Sequence, residues 1–268
     1  MKLRLIALFC AAFFGTTTPA AFAQLAAPNS TGVAMGHIHL NVHDVDAARQ
    51  FYVSLGGRAV RNGTLEMVEF PGAYIILRKQ DPTAGTVGSV VDHFGFLVPS
   101  MEQGLAKWKS LGYKIEAGNR PAAQNYVISP DGAKIEMIED KTISTPIKFH
   151  HVHYFVPDPL AAQAWYAKEF GAIPGKRAQF DAADIPGANL TFSKADMPLA
   201  GTKGRAVDHV GFEVANLAAF AKKLEADGIK FDRAPTLGSN ETTHIAFIYD
   251  PWGTYIELTE GLAPSAEH

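Results

Sequence analysis

The chain has 268 residues, 47% hydrophobic and 19% charged, with a formal net charge of −3, which is the make-up of a globular protein with room for one large domain or two small ones. Near-neutral charge and the lack of a Lys/Arg run argue against nucleic-acid binding. The one cysteine, Cys10, falls in the leading segment, so beyond it disulfides and thiolate ligands are excluded, and any metal must be held by His and carboxylate groups.

The chain opens with Lys2 and Arg4, then an apolar stretch from Leu5 to Gly15 that is too short to span a bilayer comfortably. Ala21-Phe22-Ala23 supplies a small-x-small cleavage pattern. Residues 1–23 therefore read as an export signal, with the mature chain expected in the periplasm or secreted and no membrane association after cleavage. Phe9 ahead of Cys10 fits a lipoprotein cleavage site poorly. Residues 24–35 are read as an N-terminal extension.

Gly36-His37-Ile38-His39-Leu40-Asn41-Val42-His43-Asp44 alternates as a strand, placing Ile38, Leu40 and Val42 on one face and His37, His39 and Asn41 on the other. Asp44 is a natural N-cap for a helix carrying Phe51, Tyr52 and Leu55, ended by Gly56-Gly57. A second strand, Val91-Asp92-His93-Phe94-Gly95-Phe96-Leu97-Val98, leads into an amphipathic stretch from Met101 to Leu111 and a glycine stop at Gly112. The turn Ser129-Pro130-Asp131-Gly132 then opens a strand carrying Glu136.

The whole pattern recurs. His150-His151-Val152-His153-Tyr154-Phe155-Val156-Pro157-Asp158 repeats the first strand and N-cap, followed by a helix with Trp165, Tyr166 and Phe170 that ends at Gly171. Val207-Asp208-His209-Val210-Gly211-Phe212-Glu213-Val214 repeats the second strand, with its own helix from Leu217 to Leu224 and stop at Gly228. Asp250-Pro251-Trp252-Gly253 precedes the strand of Glu257. The reading is α+β: four units of strand, helix and further strands, the first paired with the second and the third with the fourth. The expected domains are residues 36–140 and 148–260, joined by a linker at 141–147, with a C-terminal tail at 261–268. Two neutral imidazoles and one carboxylate suit a borderline divalent cation and leave coordination positions open.

These paired strands resemble the vicinal oxygen chelate superfamily, which includes glyoxalase I, bleomycin resistance proteins and extradiol dioxygenases, over about Gly36 to Glu260. The resemblance implies four βαβββ units paired into two cupped-sheet domains, each holding a divalent metal: Fe(II), Zn(II), Ni(II), Mn(II) or Co(II). Carried over by residue, it implies one metal site at His37, His93 and Glu136 and another at His151, His209 and Glu257. Glyoxalase-like members take a further Glu or Gln ligand where this chain has Ile76 and Thr191. The dioxygenases use a histidine between the ligand histidines, which is missing here, and a tyrosine matched by Tyr126 but replaced by Phe247 in the repeat.

For proton transfer, His39 and His153 stand two residues from a ligand histidine, roughly 7 Å along the strand, either as general bases or as partners orienting a ligand. The expected function is a metal-dependent lyase or isomerase acting on a small oxygen-chelating substrate. An Fe(II) dioxygenase using Tyr126 and a non-catalytic small-molecule binder are the alternatives. A homodimer is left open.

Overall fold

The computed structural model describes residues 25–263, so the expected export signal at 1–23 and the end of the C-terminal tail lie outside the described residues. The four βαβββ units follow in order. The first comprises β1 (Val33–Val42), α1 (Val45–Leu55), β2 (Arg58–Asn62), β3 (Leu65–Phe70) and β4 (Ala73–Lys79). The second comprises β5 (Val91–Val98), α2 (Met101–Ser110), β6 (Lys114–Ala117), β7 (Gln124–Ile128) and β8 (Lys134–Glu139). The third comprises β9 (Lys148–Val156), α3 (Pro159–Phe170), β10 (Ile173–Arg177), β11 (Phe180–Ile185) and β12 (Ala188–Lys194). The fourth comprises β13 (Val207–Val214), α4 (Leu217–Ala226), β14 (Phe231–Leu237), β15 (His244–Tyr249) and β16 (Tyr255–Glu260).

Local chemistry starts and stops the helices as expected. The Asp44 carboxylate accepts from the N–H groups of Asp46 and Ala47, and the Asp158 carboxylate from that of Ala161, with Pro159 opening α3. Gly171 closes α3 in the left-handed region at φ 66°.

The strands form two eight-stranded sheets, ordered β14-β15-β16-β13-β1-β4-β3-β2 and β10-β11-β12-β9-β5-β8-β7-β6. At the centre of the first sheet β1 runs antiparallel to β13, and at the centre of the second β5 runs antiparallel to β9. The first unit therefore shares a sheet with the fourth, and the second with the third. This overturns the expected pairing of first with second and third with fourth, and neither residues 36–140 nor 148–260 contains a complete sheet. Units one and three are near copies, as are two and four, so the repeat pattern fits either arrangement. Connection lengths tell them apart. The short linker at 141–147 steps only from β8 across β5 to β9, about 10 Å at two strand spacings. Residues 80–90 and 195–206 instead cross between the sheets, and they hydrogen-bond to each other on the way. The Thr83 N–H donates to the Gly204 carbonyl (2.8 Å), and the Val90 N–H to that of Ala200 (2.9 Å).

Although the strands are exchanged, the helices of each sequence half stay together. Phe51 of α1 packs on Tyr113 just after α2 (ring centroids 4.7 Å), and Phe170 of α3 packs on Phe220 of α4 (5.8 Å). One hydrophobic cluster joins both sheets, for instance where Phe70 meets Phe96 at 4.6 Å and Phe170 meets Phe212 at 4.7 Å. That cluster consumes the apolar face of every central strand, including Ile38, Leu40 and Val42. The histidine-bearing faces are left to line a cup on each sheet.

Candidate metal centres

In the first cup His37 and His39 of β1, His209 of β13 and Glu257 of β16 come together, all buried. Their meeting follows from register: His39 lies opposite His209, and Glu257 lies beside Gly211, which itself faces His37. One carboxylate oxygen of Glu257 is 2.9 Å from His37 Nε2 and 2.8 Å from His209 Nε2. The ring of His39 lies 4.3 Å from that of His209 and 6.3 Å from that of His37.

The second cup repeats this with His151 and His153 of β9, His93 of β5 and Glu136 of β8. Glu136 Oε2 is 2.9 Å from His151 Nε2 and 3.6 Å from His93 Nε2. The rings of His93 and His153 are 4.6 Å apart.

All six expected ligands are thus gathered into two triplets, but with two members exchanged. His37 joins His209 and Glu257 rather than His93 and Glu136, and His151 joins His93 and Glu136 rather than His209 and Glu257. The exchange follows directly from the sheet pairing. His39 stands in the first cup. His153 and Tyr126 stand in the second, where Tyr126 pairs across the strands with Glu136 and its ring is 5.3 Å from His93. Ile76 borders the first cup opposite His39, and Thr191 borders the second opposite His153.

A cation fits these donor sets. In the second cup His93 Nε2, His151 Nε2 and Glu136 Oε2 are all buried, and none has a hydrogen-bond partner among the described residues. His151 and Glu136 approach within 2.9 Å yet outside hydrogen-bonding geometry, so both aim at a common point rather than at each other. Three buried groups left unsatisfied at one point cost several kcal/mol unless something binds them, on the order of 1–3 kcal/mol each. In the first cup both ring nitrogens of His39 are likewise buried without partners.

Four of the imidazoles, His37, His39, His151 and His153, are favoured in the neutral form. Burial lowers the pKa of His37, against the opposing pull of Glu257, and drives those of His39 and His151 well below the ordinary value. Burial, reinforced by His93 and Arg177, brings His153 down to about 2. Burial alone would raise Glu136 and Glu257, but the histidines close around each carboxylate outweigh it and hold both below the usual carboxylate range. His209 moves the other way: burial would lower it, yet Asp208 and Glu257 on either side raise it.

Several partners went unread in the sequence. Asp208 Oδ1 lies 2.7 Å from His209 Nδ1, and Asp92 Oδ1 lies 2.7 Å from His93 Nδ1. Each carboxylate fixes the Nδ1–H tautomer and turns Nε2 inward, a common support for a metal-bound imidazole. Strict alternation would put Asp and His on opposite faces. A β-bulge lies at each place, since the register skips Asp208 between Leu40–Val207 and His39–His209, and skips Asp92 likewise. The signal was the repeated Asp-His pair. Asp208 is held by Arg78 (2.9 Å) and the Gly204 N–H (2.8 Å). His150 is half-buried with its Nδ1 3.0 Å from His151 Nδ1.

The cups and sheets define a protein built of paired βαβββ units with a His-His-Glu triplet in each of two cups. Residues 148–258 match the Glyoxalase/Bleomycin resistance protein/Dioxygenase superfamily, so that part of the chain carries a domain of that kind. The match spans a sequence repeat rather than a cup, because the third and fourth units sit in different sheets. Glyoxalase I from Zea mays is similar in structure, with a TM-score of 0.67 at 18% identity over 85% of this chain and 92% of that one. A provisionally named dioxygenase from Bacillus subtilis subsp. subtilis strain 168 gives a TM-score of 0.67 at 14% identity, covering 90% of this chain and 87% of that one. Identities this low carry the fold and nothing finer. No curated protein sequence matches the chain.

Proposed function

We propose that the protein is an exported, divalent-metal-dependent enzyme of the lyase or isomerase type acting on a small substrate with neighbouring oxygen atoms. The observation that carries this is the convergence of His93 Nε2, His151 Nε2 and Glu136 Oε2, buried and unpartnered, with the same residue types repeated at His37, His209 and Glu257, where the carboxylate lies within hydrogen-bond distance of both imidazoles. A bound cation would polarise a substrate carbonyl or enediolate oxygen.

The chain's own residues supply the rest. His39 keeps both ring nitrogens uncommitted and stays neutral, so it can take a proton from a carbon beside that oxygen. Its burial makes it a weak base, suited to a proton already acidified by a neighbouring positive charge. Glu257 favours the imidazolium that results. His153 is differently placed: its Nε2 is 2.7 Å from Ser193 Oγ, and its Nδ1 faces Arg177 at 3.4 Å. Those contacts suit an orienting role, so proton transfer is assigned to the first cup.

Elemental analysis of the purified mature chain tests the reading. Two equivalents of metal per chain are expected, one lost in Glu257→Gln and the other in Glu136→Gln. His37→Ala should behave as Glu257→Gln, and His151→Ala as Glu136→Gln. Wild-type protein that retains no metal after incubation with Zn(II), Fe(II) or Ni(II) would end the proposal.

One observation favours a second reading, an Fe(II) dioxygenase in the second cup: Tyr126 there faces His93 and Glu136. It requires oxygen uptake with a catechol by the iron-loaded protein, abolished in Tyr126→Phe. A catechol panel without oxygen uptake removes it.

A further inference from the structure

The two cups share a ligand set but not a lining. Arg177 ends β10, opposite Phe180, where Asn62 ends β2, opposite Leu65. Lys134, two residues before Glu136, corresponds to Tyr255 before Glu257. Gln124 and Thr191 stand where the first cup has Ile245 and Ile76. At each of these places the second cup is cationic or polar, and the first is neutral or apolar.

The charges are also disposed differently. Arg120, Lys134, Arg177 and Lys194 line the second cup, a cavity of about 960 Å³. The carboxylates beside them are engaged: Asp92 by His93 and Lys134, Asp181 by Lys176, and Glu136 by the triplet and Gln124. Arg177 is four-fifths buried. Its Nε donates to Thr191 Oγ1 (2.7 Å), its Nη2 lies 3.4 Å from His153 Nδ1, and the same Nη2 stands 3.7 Å from Glu136, beyond hydrogen-bond range, which leaves Nη1 and a further N–H of Nη2 for a ligand. A dication held by His93, His151 and Glu136 would leave this cup with excess positive charge in a poorly solvated place, and an anion relieves that cost. In the first cup, a cavity of about 420 Å³, Asn62 is bound by the Ala263 carbonyl and Asn240, and Arg78 is committed to Asp208 and Asn41.

We infer that the second cup takes an anionic substrate, a small compound whose carboxylate adjoins a second oxygen as in a 2-oxo acid, and that Arg177 receives the carboxylate. The planar guanidinium matches a carboxylate with two parallel N–H donors. Arg177 is here a specificity residue. The inference rests on the metal-enzyme reading for the oxygen next to the carboxylate, while the pairing with Arg177 is testable by itself.

The experiment is titration calorimetry of the zinc-loaded mature chain with two probes: phenylglyoxylate, an anionic vicinal keto acid, and 1-phenyl-1,2-propanedione, its neutral counterpart. Phenylglyoxylate should bind at one site per chain, at least tenfold more weakly in Arg177→Gln, with metal content and dione binding unchanged. Raising salt should weaken phenylglyoxylate several-fold and leave the dione alone. The salt arm is read on the wild type and so survives any folding defect of the variant. Equal phenylglyoxylate affinity in wild type and a folded Arg177→Gln, or insensitivity to salt, overturns the inference. A chain without metal whose phenylglyoxylate binding still depends on Arg177 would instead sink only the enzyme reading.

Discussion

His39 and His153 occupy equivalent positions, and their surroundings make them unlike. Ser193 and Arg177 engage both nitrogens of His153, whereas among the described residues no group hydrogen-bonds to those of His39. A neutral imidazole that is buried, unpartnered and among metal-ligating groups has two uses, proton transfer or ligation, and they separate by experiment. If His39 moves protons, the metal-loaded His39→Gln variant keeps its full metal complement. Its rate of deuterium exchange into hydroxyacetone in D₂O should nevertheless fall about a hundredfold or more, the usual worth of a general base. Loss of one metal equivalent in that variant would make His39 a ligand instead. The histidines and glutamates were legible in the sequence because ligand-type residues recurred in register. Arg177 was not, because its approach to Glu136 depends on a hairpin turn that no repeat marks.

At the level of the strand, two small devices shape each cup. The bulge at Asp208 brings its carboxylate onto the His209 ring, and Gly211 makes room for the His37 ring across the sheet. A Cβ on Gly211 would stand 2.0 Å from His37 Cε1, and one on Gly95 would stand 2.2 Å from His151 Cε1. Gly211→Ala must therefore displace His37, and one metal equivalent should be lost while the other cup stays loaded. Asp208→Asn removes an orienting charge without adding bulk, and metal affinity at the first cup should fall about 10–100-fold. Competition with a chromophoric chelator measures both, and unchanged affinity in both variants would show that neither device matters. Strand faces, helix caps and glycine stops could be read in advance because each is set by neighbours in sequence. Bulges were invisible since they are defined only against a partner strand, and here the partner itself was misassigned.

For the whole molecule, burial of neutral histidines links stability to pH. His37, His39, His151 and His153 all have folded-state values below the ordinary 6.5. The unfolded chain then binds more protons than the folded one as pH drops below about 6.5, so the stabilisation is complete above that value and is lost on acidification. Each such group contributes a slope of up to about 1.4 kcal/mol per pH unit. His209, raised instead, opposes this only in part. The metal-free protein should melt at clearly lower temperature at pH 5 than at pH 7.5, and a flat profile over that range would contradict the burial of neutral imidazoles. Protons also compete for the ligand nitrogens, so metal should be released over the same acidic range.

The order of the strands has a kinetic corollary. The second sheet is drawn from one continuous stretch, and the first from the two ends that bracket it, with His37 and Glu257 separated by 220 positions. Closing so wide a loop in a loose chain is entropically unfavourable, yet a preassembled centre would already hold both flanks near each other. The middle of the polypeptide can therefore act as a template on which its own extremities meet, and the cup containing His37 should be the last to capture its ion during refolding.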